Sequence, residues 1–556
     1  MKPLIPLVVL FLSACAAPGP GPGDTDGLAP DFGQPGEARY HLFMAETALQ
    51  RDRPALAATE YLRAARLSDD PSVAERATRI ASAFGTRAEG LEAAQRWAAL
   101  APDDLHPRRF LVRLHLEDRD VERAVAELGF LRSAAGYADR AFLPLLPLVA
   151  EAPDRGIALD ALAAVVADYP DDASGAYVQA YLALGAGDVA LAEAEAGRAV
   201  ALDPGWTEAA VLYARAIAAA GRVDEAIDWL AGRPEAAELP MRLERAVLLM
   251  SAERTAEARA ILEEILAASP ADPEVLRTLG FLEYFEGNAE AARAAFTALL
   301  DTGRFTNDAL FYLGGIAEQQ GEIEEAARLY SRVSGGENLV TTQVRLALLM
   351  FRMGRPELAI NHLELFAERN PDAAVELGAA RAELLVRLGL PEDAVAVYDE
   401  LLSQHPDDVG ILYARGMLHV ELGQADAAVA DFEQVVAMYP DDPSALNALG
   451  YTLADMTDRH DEALSLIQRA LELEPGNPAI LDSMGWVLFR LGRPEDALPY
   501  IESAWALQKD EEIAAHLGEV LWALGRIDEA RNVWLEAIIE FPGSQVLLDT
   551  MGRLDP

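Results

Sequence analysis

The stretch "EIAAHLGEVLWALGRIDEARNVW", residues 512–534, contains two apolar helical segments separated by Gly525. A glycine just past a helix end readily adopts the left-handed backbone conformation that other residues reach only with strain. Gly518 and Ala530 are small residues at the place where two antiparallel helices would cross, and the large Trp534 lies beside them. The stretch therefore predicts a helical hairpin whose close approach depends on small residues at the crossing.

The same arrangement recurs along the chain. The interval between Gly187 and Gly221 is 34 residues, and later glycines of this kind follow at about one or two such intervals. The full set is Gly187, Gly221, Gly287, Gly321, Gly354, Gly389, Gly423, Gly492 and Gly525. Prolines that end the second helix of a unit keep the same step, at Pro170, Pro204, Pro270, Pro371, Pro406, Pro440, Pro475 and Pro542. Fifteen units result, beginning near residues 38, 71, 105, 139, 173, 207, 239, 273, 307, 340, 375, 409, 443, 478 and 511.

This pattern of small and large residues resembles the tetratricopeptide repeat (TPR). The unit that begins near 478, for example, carries Met484, Gly485, Ala497, Ile501 and Ala504 at the equivalent places. The resemblance covers nearly the whole chain and implies an all-α superhelical solenoid of about fifteen helical hairpins. We expect the solenoid to span residues 38–544 and a C-terminal tail to follow at 545–556. Units before about residue 173 are degenerate, and "AFLPLLPLVAEAPDRG", residues 141–156, fits worst because it contains three prolines.

The N-terminus places the only cysteine of the chain, Cys15, after an apolar segment that runs from residue 3 to residue 12. A bilayer span needs about 20 residues, so this segment fits a secretory signal better than a membrane helix. "LSAC", residues 12–15, resembles the lipobox of bacterial lipoproteins; the alternative is an ordinary signal with an incidental cysteine. The resemblance implies a signal peptide at 1–14 and a lipid on Cys15, and Ala16 in place of an aspartate implies the outer membrane. Several acyl chains on one residue anchor a protein firmly.

Residues 15–37 continue from this cysteine as a proline- and glycine-rich segment, "AAPGPGPGDTDGLAPDFGQPGE" from residue 16 on. Proline disfavours helix, and the segment has no periodic apolar face. It predicts a tether that would span roughly 25 Å as a flexible coil.

The charge balance is strongly acidic, with 46 Lys and Arg against 91 Asp and Glu and a net charge of −45. Binding to nucleic acid depends on basic patches, so this composition excludes nucleic acid as a partner. It also argues against electrostatic adhesion to anionic lipid. Two interpretations of the acidic charge remain open: it keeps the protein soluble, or it attracts a basic partner.

No motif of a catalytic site occurs. Neither Lys2 nor Lys509 belongs to a phosphate-binding loop, and there is no His-Glu-x-x-His or Gly-x-Ser-x-Gly sequence. The eight histidines lie in different units, where we expect surface or packing roles, and "PDD" recurs at unit junctions, where aspartate caps helices. We therefore expect no catalytic activity, no metal and no cofactor.

A protein-binding surface is predicted from aromatic residues in the C-terminal units. They occupy positions that face the concave groove in similar repeats: Tyr413, Tyr451, Trp486, Phe489 and Trp522. Each could instead belong to the core, but five in a short span favour interface anchors. We expect the rings of Trp486 and Trp522 to be exposed in the groove.

Three stretches at the C-terminus resemble the ending of a family of outer-membrane repeat lipoproteins of Gram-negative bacteria. They are residues 447–467 ("NALGYTLADMTDRHDEALSLI"), 479–504 ("AILDSMGWVLFRLGRPEDALPYIESA") and 512–534. The resemblance implies a periplasm-facing adaptor that binds a carboxyl-terminal processing protease and promotes its action on cell-wall hydrolases. The alternative is a structural scaffold in an envelope assembly or an exopolysaccharide export machine.

Overall fold

The computed structural model describes residues 35–136 and 139–554, and every regular element in these ranges is helical. The predicted signal peptide, Cys15 and most of the predicted tether lie outside the described residues. The chain forms two compact units, one ending at Leu262 and the other beginning at Glu263. The described residues therefore confirm the all-α tetratricopeptide-type solenoid.

The helices up to the boundary between the units are α1 (Pro35–Gln50), α2 (Pro54–Leu67), α3 (Pro71–Phe84), α4 (Arg87–Leu100), α5 (His106–Glu117), α6 (Val121–Ala134), α7 (Leu146–Ala150), α8 (Arg155–Val166), α9 (Ala173–Ala186), α10 (Val189–Leu202), α11 (Thr207–Ala219), α12 (Val223–Ala231), α13 (Leu239–Ser251) and α14 (Thr255–Ala268). Those that follow are α15 (Pro273–Phe285), α16 (Ala289–Asp301), α17 (Thr306–Gln319), α18 (Ile323–Tyr330), α19 (Leu339–Arg352), α20 (Pro356–Arg369), α21 (Ala374–Arg387), α22 (Pro391–Gln404), α23 (Val409–Glu421), α24 (Ala425–Met438), α25 (Pro443–Met456), α26 (His460–Leu473), α27 (Pro478–Arg490), α28 (Pro494–Leu507), α29 (Glu511–Ala523), α30 (Ile527–Glu540) and α31 (Gln545–Leu554). Short 3₁₀ helices occur at Leu143–Leu145 and Pro371–Ala373.

The helices begin and end where the repeated glycines and the predicted repeat starts place them. All nine glycines of the repeat pattern have φ between +69° and +82°, which is the left-handed conformation expected of a glycine just past a helix end. From residue 173 onward, the first helix of every unit begins within one residue of its predicted start. The period read from the sequence is therefore confirmed.

The repeat that begins near residue 139 lacks a full-length first helix. Its first helix is reduced to the 3₁₀ turn Leu143–Leu145 and the five-residue helix α7. Pro144 and Pro147 lie in this segment, and proline removes a backbone donor and clashes with the preceding turn of an α-helix. Phe142 is nevertheless fully buried, so the shortened unit still contributes to the core.

In the described residues from 263 onward, seven hairpins contain a glycine of the first helix in close contact with a large side chain of the second. A Cβ added at Gly485 would lie 2.8 Å from Ile501 Cδ1 and 3.1 Å from the Ala497 carbonyl oxygen. Equivalent contacts pair Gly280 with Phe296, Gly314 with Tyr330, Gly378 with Leu401, Gly416 with Phe432, Gly450 with Ile467 and Gly518 with Trp534. The predicted arrangement of small and large residues at the crossing is confirmed.

The recurring "PDD" sequences cap first helices. The second aspartate of each accepts a hydrogen bond from a backbone N–H of the first turn: Asp104 from His106, Asp172 from Ser174, Asp408 from Ile411 and Asp442 from Ala445, at 3.0, 2.9, 3.0 and 2.8 Å. Such a cap typically contributes about 1 kcal/mol, and the negative charge also favours the helix N-terminus. These acidic residues therefore have a structural role, as the sequence predicts.

The C-terminal segment is part of the packed structure. Residues 545–556, expected as a tail, contain the helix α31, which packs against α29 and α30. Leu547 of α31 is fully buried in the apolar core that begins at Ala428. The repeat packing therefore continues past residue 544.

Replacing Gly485 by alanine is expected to destabilise the hairpin α27–α28. The new methyl group would overlap Ile501, and overpacking of this kind typically costs about 1–3 kcal/mol. Gly476→Ala is the control, because no atom lies within 4 Å of a Cβ at that position. Urea unfolding followed by circular dichroism measures both; equal unfolding midpoints for the two variants would contradict the close-approach model.

Candidate functional site

In the compact unit that begins at Glu263, the first helices α25, α27 and α29 are neighbours and share polar and aromatic contacts. We call the residues that make these contacts the A-face cluster: Tyr451, Asp455, Asp482, Trp486, Phe489, Arg490, Glu512 and His516. They come from three successive hairpins, so the cluster exists only when the hairpins are stacked.

Trp486 lies at the centre of the cluster. Its indole Nε1 donates a hydrogen bond to Asp455 Oδ1 at 3.0 Å, and its ring stacks on the imidazole of His516 with centroids 3.9 Å apart. The side chain points to the neighbouring hairpins, but the residue is only 7% exposed. The expectation of an exposed ring at Trp486 is therefore wrong, because side chains from α25 and α29 cover it.

Asp482 and His516 form a buried pair between α27 and α29. His516 Nδ1 lies 2.8 Å from Asp482 Oδ2, and each side chain is 8% exposed. Burial alone would lower the pKa of His516, but the Asp482 carboxylate, assisted by Glu512 and Asp455, raises it above its ordinary value. The other oxygen of this carboxylate, Asp482 Oδ1, is buried and has no hydrogen-bond partner.

Tyr451 connects α25 to α29. Its hydroxyl donates a hydrogen bond to Glu512, and its ring centroid lies 6.1 Å from that of His516. Burial raises the pKa of Tyr451, and the charges of Glu512 and Asp455 raise it further, so the hydroxyl remains a donor at physiological pH. Glu512 is exposed and Tyr451 is half-buried, so this pair lies at the surface of the cluster.

Arg490 supplies a cation beside the carboxylates. Its Nη1 donates to the Asp455 carbonyl oxygen at 2.9 Å and to Asp455 Oδ1 at 3.2 Å. The guanidinium lies 6.0 Å from the ring centroid of Trp486, within the range of a cation–π interaction. Arg490 and Asp455 are both accessible to solvent, with side chains 31% and 39% exposed.

The structure brings together only some of the aromatic residues predicted as anchors. Phe489 is half-buried, with its ring centroid 5.4 Å from that of Trp486. Tyr413 instead packs edge-on against Phe432, and Trp522 stacks on Trp534, each with a ring of its own hairpin. Cys15, the predicted lipidation site, lies outside the described residues.

The polar members of the cluster were not predicted as site residues. Asp482 and His516 are separated by 34 residues, which is one repeat, and this spacing is the signal that could have found them. His516 was expected to have a surface or packing role, and it is a buried packing residue that also carries an ion pair. Polar residues one period apart on successive first helices therefore indicate contacts between repeats.

Residues 35–136 and 139–554 contain no group of three or more His, Cys, Asp or Glu side chains arranged to hold a metal ion. Over the same ranges, none of the helices combines the length and the apolar character needed to cross a membrane.

Comparisons with known proteins agree on the repeat. Models of the family "Tetratricopeptide repeat" match residues 177–240, 278–335, 342–373, 375–416, 413–478 and 483–545. A TPR repeat-containing protein of Pseudomonas aeruginosa is 34% identical over 521 residues, which are 87% of this chain and 82% of that protein.

Two further proteins are similar over part of the chain. Cellulose synthase operon protein C of Xanthomonas axonopodis pv. citri is 29% identical over 193 residues, which are 33% of this chain but only 13% of that protein. Among solved structures, a tetratricopeptide repeat protein from Parabacteroides merdae has 19% identity and a TM-score of 0.34, over 45% of this chain and 98% of that chain.

The buried pair predicts a pH dependence of stability. Because the pKa of His516 is higher in the folded protein than its unfolded value of about 6.5, the protonated imidazole stabilises the fold. This contribution is complete below the unfolded pKa and is lost as the pH rises through the folded pKa. Asp482, Glu512, Asp455 and Tyr451 are the titratable groups that face His516.

Urea unfolding of the wild type and of His516→Gln between pH 6 and pH 9 measures this contribution. The difference in unfolding free energy between the two proteins should be largest at the acidic end and shrink as the pH rises. Other titrating groups are common to both proteins and cancel in the difference. A difference that stays constant or grows with pH would show that His516 is not stabilised as an imidazolium.

Proposed function

The chain belongs to the tetratricopeptide-repeat family, and from this premise we propose that it is a protein-binding scaffold held at the outer membrane by a lipid on Cys15. Proteins of this family bind protein partners, and the fold typically serves as a non-catalytic scaffold. In the proposal the lipid anchors the chain, the proline- and glycine-rich segment links it to the repeats, and the repeats face the periplasm.

The observation that carries the proposal is the A-face cluster. Tyr451 and Phe489 are half-buried aromatic side chains at its surface, and aromatic residues are the usual anchors of protein interfaces. The hydrogen bonds of Trp486 and Tyr451 hold rings from successive helices in place. A rigid surface of this kind loses little conformational entropy on binding.

The partner that we propose is a periplasmic carboxyl-terminal processing protease together with its cell-wall hydrolase substrates. The support is the resemblance of residues 447–467, 479–504 and 512–534 to outer-membrane repeat lipoproteins of which at least one is such an adaptor. These three stretches contain all the residues of the A-face cluster. The segments that carry the resemblance therefore also carry the candidate binding surface.

A second candidate function is a structural scaffold in an envelope assembly or an exopolysaccharide export machine. It is favoured by the 29% identity to cellulose synthase operon protein C. The chain spans only 13% of that protein, so the shared segment is a set of repeats within a much longer chain.

Reconstitution tests the adaptor function. The purified chain, the processing protease and a cell-wall hydrolase of the same organism are mixed, and hydrolase cleavage is followed with time. We expect the chain to accelerate cleavage and Phe489→Ala to weaken this effect, because the variant removes a surface ring of the A-face cluster. Leu535→Ala is the control, since Leu535 is exposed on the second helix α30.

Two outcomes would contradict the adaptor proposal. One is an unchanged cleavage rate on addition of the wild-type chain. The other is a pull-down from solubilised membranes that yields a polysaccharide synthase or an outer-membrane porin and no protease, which would favour the structural scaffold.

The anchor is tested separately by Cys15→Ser. The variant should be released to the soluble periplasm or remain unprocessed, whereas the wild type should fractionate with the outer membrane, because only the cysteine can receive the lipid. Cell fractionation and the N-terminal mass of the chain measure both properties. A fully processed Cys15→Ser protein that stays in the membrane fraction would exclude the lipid anchor.

A further inference from the structure

We propose that α31 binds an amphipathic helix of a partner protein and forms a further hairpin with it. The partner helix is defined by an alanine and, four residues later, a large apolar or aromatic side chain. The binding surface is the side of α31 that carries Leu548 and Gly552, which we call the open face. It is separate from the A-face cluster and does not depend on the proposed adaptor function.

The helix α31 lies in the register of a first helix. Gly552 follows the crossing glycine Gly518 by one repeat of 34 residues, the same interval that separates Arg553 from Glu519. Arg553 donates to both carboxylate oxygens of Glu519, at 3.0 and 2.6 Å, and Leu547 is fully buried in the core that α29 also lines. The helix α31 therefore stacks on α29 as α29 stacks on α27.

The open face lacks the second helix that covers the equivalent face of α29. A Cβ added at Gly518 would lie 2.7 Å from Trp534 Cδ1, whereas a Cβ added at Gly552 would have no atom within 4 Å. One turn earlier, Ala514 of α29 is fully buried, but the corresponding Leu548 is 47% exposed. Within the described part of the chain, no side chain fills the place beside Gly552 that Trp534 fills beside Gly518.

The second helices that cover a crossing glycine share a pair of residues. In six of the seven hairpins with this contact, the residue four positions before the large side chain is a fully buried alanine. The alanine lets the two backbones approach, since the Ala497 carbonyl oxygen would lie 3.1 Å from a Cβ at Gly485. A helix that covers Gly552 in this way needs the same pair. The six pairs are Ala292 and Phe296, Ala326 and Tyr330, Ala428 and Phe432, Ala463 and Ile467, Ala497 and Ile501, and Ala530 and Trp534.

Apolar side chains at this end of the described helices also favour a partner. Ile539 in the last turn of α30 is 82% exposed, and Val546 of α31 is 38% exposed. Terminal repeats of solenoids normally present a polar outer face to water. Together with Leu548, these side chains supply apolar area of the kind that an amphipathic helix covers when it binds a groove.

A second copy of the chain matches the open face poorly. The helix α31 contains no alanine, so it lacks the residue pair of the chain's own second helices. It has only 10 residues, and two such helices would bury far less than the roughly 1,200 Å² of a stable interface. Two copies would also repel each other, because each carries a net charge of −45. A helix of a different protein avoids these obstacles.

The test uses a fluorescein-labelled peptide of residues 527–540, the sequence of α30, which contains Ala530 and Trp534. Since an isolated helix of this length is marginal in water, a hydrocarbon staple joins positions 532 and 536, which are exposed in α30. Fluorescence anisotropy measures binding to the full chain without its predicted signal peptide. We expect saturable binding, and about tenfold weaker binding or more for the Trp534→Ala peptide, which lacks the large side chain.

The decisive comparison is between Gly552→Leu and Gly129→Leu in the full chain. Both glycines lie in helices and have no atom within 4 Å of an added Cβ, and leucine has the higher helix propensity, so both variants should fold. Only the leucine at 552 would occupy the place of the incoming side chain. We expect affinity to fall about tenfold or more for Gly552→Leu and less than about twofold for Gly129→Leu.

Equal affinities of these two variants would overturn the proposal, because the peptide would then bind elsewhere, for example by displacing α30 from α29. Absence of saturable binding to the wild type would overturn it as well. Circular dichroism checks the fold of each variant. If Gly552→Leu unfolds, Leu548→Gln replaces it, with Leu507→Gln at the exposed end of α28 as the control.

Sedimentation velocity of the chain alone tests the competing occupant. We expect the wild type and Gly552→Leu to sediment alike, because no second copy covers the open face. A wild-type dimer that Gly552→Leu dissociates would overturn the proposal in favour of self-association.

Discussion

In the hairpins of residues 263–556 that have it, the contact between a glycine of the first helix and a large side chain of the second is the constraint on which the rest of the packing depends. A glycine has no Cβ, so Ile501 and Trp534 of the second helices can contact the backbone of the first helices directly at Gly485 and Gly518. Close packing of this kind leaves a single way to orient the two helices. Once these hairpins have that orientation, their first helices pack on one another, as α25 does on α27 and α27 on α29.

The features that the sequence predicts well are those decided within a few residues. The backbone conformation at a helix end depends on local residues: a glycine in the left-handed region, a proline after the helix or an aspartate at the N-cap. The repeat period, the helix starts and the caps can therefore be predicted from the sequence. The hydrogen bonds between hairpins in the A-face cluster join residues 31 to 61 positions apart. Whether Trp486 is exposed depends on Asp455 and His516 in other hairpins, and the sequence of its own unit does not contain that information.

Arginines on or just before the second helices also connect neighbouring hairpins. Several arginines pair with an acid of the neighbouring repeat, as in Arg66 with Glu92, Arg254 with Asp224 and Arg459 with Glu433. These side chains are exposed, and such ion pairs contribute roughly 0–1 kcal/mol each. Many acidic residues of the chain therefore already have a partner or a cap, and those of the A-face cluster are no exception, since Asp455 pairs with Arg490 and Asp482 with His516.

The buried polar network under the surface rings has an energetic cost that apolar residues would avoid. Replacing a buried ion pair by well-packed apolar residues is often neutral or stabilising, so Asp482 and His516 need another explanation than stability. The two side chains belong to different hairpins, and together with the hydrogen bond from Trp486 to Asp455 they fix the positions of α25, α27 and α29 relative to one another. An apolar core would permit small sliding motions of one helix over the next, whereas directional hydrogen bonds do not. The network therefore suits a surface whose rings and carboxylates have to be held at constant separation for a partner.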